Sequence, residues 1–479
     1  MVLTWADYLV IGGYLVAISA FGSWFARFQK TTRDYFLTDR SVPWWAICFT
    51  IVATETSTLT FVGVPAAAYA GNMAFLQLSF GYVIGRVLVG LLFIPAYFRK
   101  DLFTSYELLN RRFGPRVKNL SAVIFLGTRS LADGVRLFAT ALVVSVVTQV
   151  PVTWAILIIG AAMIIYTVRG GVSAVIWTDV VQMFVYIAGA GAVFFTLLAL
   201  IPGGWAEVVR TGSAAGKFQV LDFSLDPARA YTFWAGLVGG VALTLSTHGT
   251  DQFLVQRLLS ARSAREATRG LVLSGFIVLA QFVLFLVIGV MLFTYYQHVP
   301  IPARLARTDE ILPTFLVNSL SHGMAGFVVA AIVAAALSPS INAMAATTVN
   351  DFYVKYWKPH ADEATLMRVS RQWTVFWGLV QLGVAIGAQW MDRSVLDAGL
   401  AVLSFASGSV LGAFLIGTLL PAVGERETLA GMIAGLAAMT AVWGWTDVAF
   451  TWYVFIGAVT TILVAWVLTA VASPARTTR

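Results

Sequence analysis

The sequence predicts an all-α integral membrane protein with about thirteen transmembrane helices. Hydrophobic residues make up 59% of the 479 residues and charged residues 11%, whereas a soluble domain carries about 25% charged residues. Each apolar run is long enough to cross the roughly 30 Å hydrocarbon core of a bilayer. Because lipid offers the backbone no hydrogen-bond partners, runs of this length must be helical. The predicted spans are 5–26, 43–70, 73–97, 119–149, 151–168, 172–201, 232–256, 270–296, 322–354, 372–390, 395–420, 427–446 and 449–472.

The basic residues alternate between connections, and this alternation predicts the orientation of the chain. Of the 31 lysines and arginines, 22 lie in the odd-numbered connections or the C-terminal tail, and six lie in the even-numbered connections. Cytoplasmic loops keep basic residues because moving them across the bilayer is costly. We therefore expect an odd number of spans in the plasma membrane, with the N-terminus outside and the C-terminus in the cytoplasm.

The composition also argues against several classes of protein. Cys48 is the single cysteine, so the chain forms no internal disulfide or thiolate cluster. No grouping of His, Cys and carboxylate residues has the spacing of a zinc site, and no phosphate-binding loop precedes a helix. The net charge of +8 is spread over many short loops, which argues against a nucleic-acid partner. We expect one transmembrane domain over residues 1–479, and neither an enzyme nor an ATP-driven pump.

The second span has a polar centre. Residues 53–58 read ATETST, and Gly63 and Pro65 follow. Hydroxyl side chains bond freed backbone groups, while Gly and Pro weaken the helical ladder, so this span is predicted to be broken. A carboxylate at this depth costs about 3 kcal/mol on insertion scales and marks a functional site by default. Glu55 is therefore either a residue of a polar cavity or a structural carboxylate with a partner.

A second polar cluster interrupts the seventh span at residues 244–252, which read TLSTHGTDQ. We interpret His248 as a satisfied polar residue of a cavity, with a proton relay as the alternative. Two interrupted helices five spans apart are typical of an inverted-repeat transporter. The predicted repeats are 43–201 and 232–420, with one extra span at 5–26 and two at 427–472.

The ninth span contains small residues and a proline. Residues 334–343 read AAALSPSINA, and Pro339 removes one backbone donor and kinks the helix. Freed carbonyls with nearby hydroxyls suit a hard cation such as Na⁺. The alternative is a small-residue surface for close helix packing.

The fourth span carries three charged residues on one helical face: Arg129, Asp133 and Arg136. They form either an internal ion-paired stripe or a site where an arginine meets a carboxylate of the solute. The pairing is the preferred interpretation because Asp133 lies within reach of both arginines.

Several segments resemble the solute:sodium symporter family, which includes carriers of sugars, proline, iodide, monocarboxylates, vitamins and sialic acid. Residues 166–179, YTVRGGVSAVIWTD, are followed by Gln182 and are similar to the family signature. Residues 251–257, DQFLVQR, are similar to the motif that closes the broken seventh span. Residues 340–346, SINAMAA, with Asp351 resemble the iodide and vitamin branch, and DYFL at 34–37 also fits.

The resemblance implies a LeuT-like core of ten helices in two inverted repeats, alternating access, and a sodium site between the second and ninth spans. The implied ligands are carbonyls of Ala53, Thr56 and Ile332. The two hydroxyl ligands of the family fall on Ala335 and Ala336, which lack side-chain oxygen. Ser338 or Glu55 would have to substitute. Sodium is the expected coupling ion, and a proton carried by Glu55 is the alternative.

The resemblance also implies a solute site drawn from several spans, and no organic cofactor. We expect import of a small polar solute, either a sugar or an organic acid, and Arg129 or Arg136 favours the acid. An uncoupled facilitator is a further alternative. The expected partners are the solute and the lipid bilayer, without nucleic acid, and the carrier is expected to work as a monomer. The implied solute-binding residues are Ser57, Thr60, Gln77, Arg129, Asp251, Gln252, Ser404 and Ser407.

Overall fold

The computed structural model describes residues 4–24, 32–99, 102, 104–301, 307–321, 323–336, 340–391 and 394–476, without the side chains at 32–34, 39, 166, 169–171, 334–336 and 473–476. Apart from a single bridge between Val42 and Ala261, every regular element of these residues is helical. The α-helices are α1 (Trp5–Trp24), α2 (Thr32–Leu37), α3 (Trp44–Glu55), α4 (Val64–Ala70), α5 (Leu76–Leu92), α6 (Ile94–Phe98), α7 (Ser105–Arg112), α8 (Pro115–Thr148), α9 (Val152–Leu200), α10 (Gly204–Ala214), α11 (Gly240–Gly249), α12 (Gln252–Leu259), α13 (Ala264–His298), α14 (Ile311–Ser319), α15 (Met324–Ala336), α16 (Ile341–Thr347), α17 (Glu363–Ala388), α18 (Val395–Leu419), α19 (Glu425–Trp445) and α20 (Tyr453–Arg476).

Most of the predicted spans coincide with long apolar helices. In the described part of the chain, eight helices have the length and composition of a membrane span, and the bent pair Trp44–Glu55 and Leu59–Ala70 adds a ninth. The described parts of the predicted spans 151–168, 232–256, 322–354 and 372–390 are largely helical, but these helices are shorter, interrupted or less apolar. The total of thirteen spans therefore stays a prediction.

The fifth and sixth predicted spans form one continuous helix, α9, of 49 residues. Straight, it would measure about 74 Å, more than twice the hydrocarbon thickness. Its first part packs on α17, where Thr153 hydrogen-bonds to Gln389 at 3.2 Å. Its second part packs on α3, where the rings of Trp177 and Trp45 lie 5.6 Å apart. The two predicted spans thus have different neighbours, although no break separates them.

Short helices occupy four of the predicted connections: α2, α7, α10 and α14. In the longest connection, α10 runs for 11 residues. Glu207 and Arg210 pair on its surface at 2.8 Å, which supports a helix at this spacing. The hydrogen bond from Arg210 lowers the pKa of Glu207 to about 2.

The two predicted repeats meet through glycines of α5, of α11 and of the π-helical turn Ala235–Gly239 that precedes α11. A Cβ atom on Gly81 would lie 2.8 Å from the Cα atom of Gly240, and one on Gly236 would lie 2.6 Å from the carbonyl oxygen of Gln77. Small residues let membrane helices approach to backbone contact. The backbones of α5 and α11 are therefore in direct contact.

Candidate functional site

The second predicted span is broken, as expected, and the break frees a backbone carbonyl. Helix α3 ends at Glu55. The helical segment that follows, Leu59–Ala70, consists of a π-helical turn at Leu59–Gly63 and α4, and it is bent by 59° from α3. The Ser57 N–H donates to the Glu55 carbonyl at 3.0 Å instead of the Ala53 carbonyl one helical turn back. The Thr60 hydroxyl also donates to Glu55, at 3.1 Å. The polar run ATETST therefore stabilises an unwound segment.

The seventh predicted span is broken at Thr250 and Asp251. Both N–H groups donate to the Ser246 carbonyl at 3.0 Å, which ends α11. The Asp251 carboxylate then begins α12, because its Oδ1 atom accepts the Phe253 N–H at 2.9 Å. An aspartate at this position satisfies one of the helix's unpaired donors.

A cavity lies between the two broken spans, and we call it the solute cavity. Its walls come from both repeats, and aromatic and aliphatic side chains such as Phe75, Tyr82, Phe282 and Leu400 line part of it. A mostly apolar wall with a few convergent polar groups is typical of a small-molecule site. The polar and charged residues lining it are Thr54, Glu55, Ser57, Thr60, Arg129, Asp133, Arg136, Thr244, Thr247 and His248.

Glu55 at the cavity wall has two partners from other helices. Its carboxylate forms an ion pair with Arg86 of α5, and its Oε1 atom lies 2.8 Å from Nε2 of His248 in α11. The other ring nitrogen of His248 lies 2.9 Å from the Thr247 hydroxyl. Arg86 is fully buried, so Glu55 supplies the counter-charge that a buried guanidinium requires.

The charged face of α8 lines the cavity opposite this cluster. Arg129 forms an ion pair with Asp251 of the second break and lies 3.5 Å from Asp133. Arg136 lies 3.8 Å from the same Asp133 oxygen. The predicted ion-paired stripe is therefore present, with Asp251 as a fourth member that the sequence did not assign to it.

Comparison with known proteins decides the class. A model of the sodium:solute symporter family matches residues 35–435. The chain belongs to the sodium:solute symporter family. The protein is accordingly a sodium-coupled symporter of a small organic solute that works by alternating access, and it is not an enzyme.

The relatives of this symporter carry different solutes. The human sodium/iodide cotransporter is 30% identical over 450 residues, which cover 90% of this chain and 68% of the relative. The sodium/sialic acid symporter NanT of Aliivibrio fischeri is 29% identical, and the match covers 96% of this chain and 92% of the relative. The sodium/sialic acid symporter SiaT of Proteus mirabilis is 28% identical, and the match covers 98% of this chain and 96% of the relative.

Solved structures confirm the LeuT-like fold. A Na⁺-coupled sialic acid symporter in a substrate-bound, outward-open state superposes with a TM-score of 0.89, at 27% identity and 98% coverage of both chains. The nucleobase-cation symporter Mhp1 superposes with a TM-score of 0.57 at 14% identity, which bears on the fold alone. The predicted core with two broken helices is therefore confirmed.

The predicted solute residues fall into three groups in the symporter. Ser57, Thr60 and Arg129 line the solute cavity. Asp251 and Ser407 line a smaller neighbouring cavity instead. Gln77, Gln252 and Ser404 line neither of these cavities.

The three residues outside the cavities are engaged elsewhere. The Gln77 amide donates to the Ala74 and Tyr231 carbonyls, both at 3.1 Å, and accepts the Asp222 N–H at 3.0 Å. The side-chain oxygen of Gln252 accepts the Ser105 N–H at 2.7 Å. The Ser404 hydroxyl donates to its own helix. In this conformation these side chains hold the backbone rather than face the cavity.

The implied sodium ligands are partly described. The Ala53 carbonyl has lost its helical donor at the break, as a ligand must, whereas the Ile332 carbonyl accepts the Thr58 hydroxyl at 3.2 Å. Thr56 is buried beside the break. The side chains of Ala335 and Ala336 and the whole of Ser338 lie outside the described residues. The replacement of the family's two hydroxyl ligands by Ser338 or Glu55 therefore stays a prediction.

The sequence did not assign Arg86 a role, although it lies inside a predicted span. The signal was its position: a charge in a span requires a counter-charge from another span. Glu55 is that counter-charge, but the sequence does not state which of the buried arginines faces it.

Proposed function

We propose that the symporter imports a small organic anion with Na⁺, and that Arg136 binds the anion's carboxylate in the solute cavity. The observation that supports this proposal is the loose pairing of Arg136. Its nearest carboxylate among the described residues is Asp133 at 3.8 Å, which Arg129 also contacts. A solute carboxylate can approach to about 2.8 Å with two parallel hydrogen bonds, which is a stronger pairing.

The hydroxyl groups of the cavity suit the rest of such a solute. Ser57, Thr60, Thr244 and Thr247 line the same space and offer both donors and acceptors. The sialic acid carried by two relatives combines a carboxylate with several hydroxyls, whereas a neutral sugar would leave Arg136 without an anion. We therefore favour an organic acid over a neutral sugar.

Coupling to Na⁺ rather than to a proton is supported by the environment of Glu55. The ion pair with Arg86 balances its charge, so Glu55 does not need a proton to remain in the membrane interior. The Ala53 carbonyl beside it is a suitable oxygen ligand for Na⁺. A proton-coupled carrier would instead require Glu55 to leave Arg86 in each cycle.

Uptake into proteoliposomes tests the solute class and the ion together. The first prediction is that Arg136→Gln lowers uptake of the accepted carboxylate by about 10- to 100-fold, because a charge-assisted hydrogen bond contributes about 1.5–3 kcal/mol. A panel of sialic acid, pyruvate and glucose is first screened by thermal shift with and without Na⁺. Uptake is then driven by a Na⁺ gradient without a pH gradient.

The matched control is Arg210→Gln, which removes an arginine that is 75% exposed on α10 and should leave uptake unchanged. Stabilisation by glucose alone, or unchanged carboxylate uptake by Arg136→Gln, would contradict the organic-acid proposal. Uptake that follows a pH gradient and ignores Na⁺ would contradict the choice of ion.

We also infer that the basic connections face the cytoplasm of the cell that carries the symporter in its plasma membrane. This inference rests on the charge asymmetry of the connections. A monomer is sufficient for function in this proposal because one chain contributes all of the cavity wall described here.

A further inference from the structure

A second, smaller cavity lies beside the solute cavity. The two share Thr247 and Leu403 as wall residues. On α8 the solute cavity is lined between residues 129 and 136 and the second cavity between 124 and 128, nearer the N-terminal end of the helix. On α18 the lining shifts from 396–403 to 403–410. Both shifts lead toward the basic connections, so we call this space the inner cavity.

The ion pair between Arg129 and Asp251 stands between the two cavities. Arg129 lines the solute cavity, and Asp251 lines the inner cavity. The pair also joins the first repeat to the second, because Arg129 belongs to α8 and Asp251 lies at the break before α12. Oδ2 of Asp251 meets Arg129, while Oδ1 accepts the Phe253 N–H at 2.9 Å. The pair can therefore separate without loss of the cap of α12.

Asp133 is shared between the two arginines of α8. It lies 3.5 Å from Arg129 and 3.8 Å from Arg136. Among the described residues, neither of its carboxylate oxygens makes a hydrogen bond, although the side chain is buried. The three residues lie at spacings of four and three on one helical face, so a small rotation of the Asp133 side chain moves it from one guanidinium to the other.

We propose that the Arg129–Asp251 pair is a partition between the solute cavity and the inner cavity, and that an anion on Arg136 opens it through Asp133. The anion replaces Asp133 as the counter-charge of Arg136 and repels it toward Arg129. There Asp133 competes with Asp251, which weakens the attachment of α8 to the second break. The part of this proposal that involves an anion rests on the proposed function.

Cysteine labelling tests the partition without any solute. Ser407 lines the inner cavity, and Cys48, the single native cysteine, is buried. In Na⁺-free buffer, Asp251→Asn should raise the rate at which methyl methanethiosulfonate labels the Ser407→Cys variant by at least fivefold. Asparagine keeps an oxygen that caps α12 but removes the charge that binds Arg129. Rates are compared on the plateau of each pH profile, which removes differences in thiol ionisation.

A reporter in the solute cavity is the control. Labelling of the Thr244→Cys variant should change less than twofold when Asp251→Asn is added, because Thr244 lies on the other side of the partition. An unchanged labelling rate at position 407 would overturn the partition, whatever the solute is.

The Asp133→Asn variant tests the link from Arg136. The Ser407→Cys protein is compared with and without Asp133→Asn, in Na⁺ and saturating sialic acid or pyruvate, whichever stabilises the parent, the protein without Asp133→Asn. The solute should raise the labelling rate of Ser407→Cys in the parent. With Asp133→Asn added, the labelling rate should stay at its solute-free value. Thermal shift shows separately that the variant still binds the probe. An equal rise in both would overturn the link through Asp133. Failure of both sialic acid and pyruvate to bind the parent would count against the organic-acid proposal and against the anion step. The Asp251→Asn labelling result, which needs no solute, would still show whether the partition exists.

Discussion

Glu55 illustrates why a proposed transport role is difficult to separate from a role in stability. It lines the solute cavity, and its carboxylate is the ion-pair partner of the fully buried Arg86. Removing one partner of a buried pair leaves an uncompensated charge, which typically costs 3–5 kcal/mol. Loss of transport in a Glu55 variant would therefore not by itself establish a role in ion coupling.

A double variant separates the two roles at the residue scale. We expect Glu55→Gln to lower the melting temperature strongly, because Arg86 loses its counter-charge, and Glu55→Gln with Arg86→Gln to recover most of that loss. If Glu55 takes part in coupling, the stable double variant still fails to accumulate solute on a Na⁺ gradient. The measurements are thermal unfolding in detergent and uptake into proteoliposomes. Normal uptake by the double variant would remove Glu55 from the coupling mechanism.

At the scale of the helices, the peripheral α1 helps to position α15 in the predicted ninth span. Oδ1 of Asp7 accepts the N–H groups of Gly323 and Gly326 at 2.7 and 2.9 Å, which caps the start of α15. A Cβ atom on Gly326 would lie 2.7 Å from the Asp7 carbonyl oxygen, so glycine permits this close approach. Helix α15 also carries Ile332, an implied sodium ligand.

We therefore expect Asp7→Ala to weaken Na⁺ binding, although Asp7 does not lie at the ion. Loss of a helix cap costs about 1 kcal/mol. If this cost falls on the conformation that binds Na⁺, the Na⁺ concentration needed for half-maximal thermal stabilisation should rise roughly fivefold. Asp7→Asn keeps one acceptor and should have a smaller effect. An unchanged Na⁺ requirement in Asp7→Ala would show that α15 keeps its position without this cap.

At the scale of the whole molecule, the two C-terminal helices attach to the core through small residues. A Cβ atom on Gly408 of α18 would lie 3.0 Å from the Cα atom of Gly457 in α20, and one on Gly435 of α19 would lie 2.6 Å from the Ser409 hydroxyl of α18. These helices lie outside the ten-helix core that the family implies. Their packing should therefore affect stability more than the transport cycle.

Gly435→Leu tests this separation of roles. The added side chain has no space, and overpacking of this kind costs about 1–3 kcal/mol, so we expect a lower melting temperature with Na⁺-driven uptake per folded molecule retained. Gly444→Leu on the same helix is the matched control, because nothing lies within 4 Å of a Cβ atom there. Equal melting temperatures for the two variants would argue against tight packing at Gly435.

The amino-acid sequence was sufficient to predict the class of fold and the places where helices break. Long apolar runs can only be helices in lipid, and the polar runs at 53–58 and 244–252 weaken the helical ladder locally, so both breaks were predicted where they occur. The charged face of α8 was also predicted, because helical periodicity alone places Arg129, Asp133 and Arg136 together.

The charges and amides that meet across helices became known from the packing of the folded chain. Glu55 faces Arg86 and His248, and Asp251 faces Arg129, because helices from distant parts of the chain are packed together. The position of Gln77 was not predictable, since its amide is held by the backbone of a connection that periodicity does not place. Local sequence specifies where a helix weakens, whereas the pairing of buried charges depends on long-range packing.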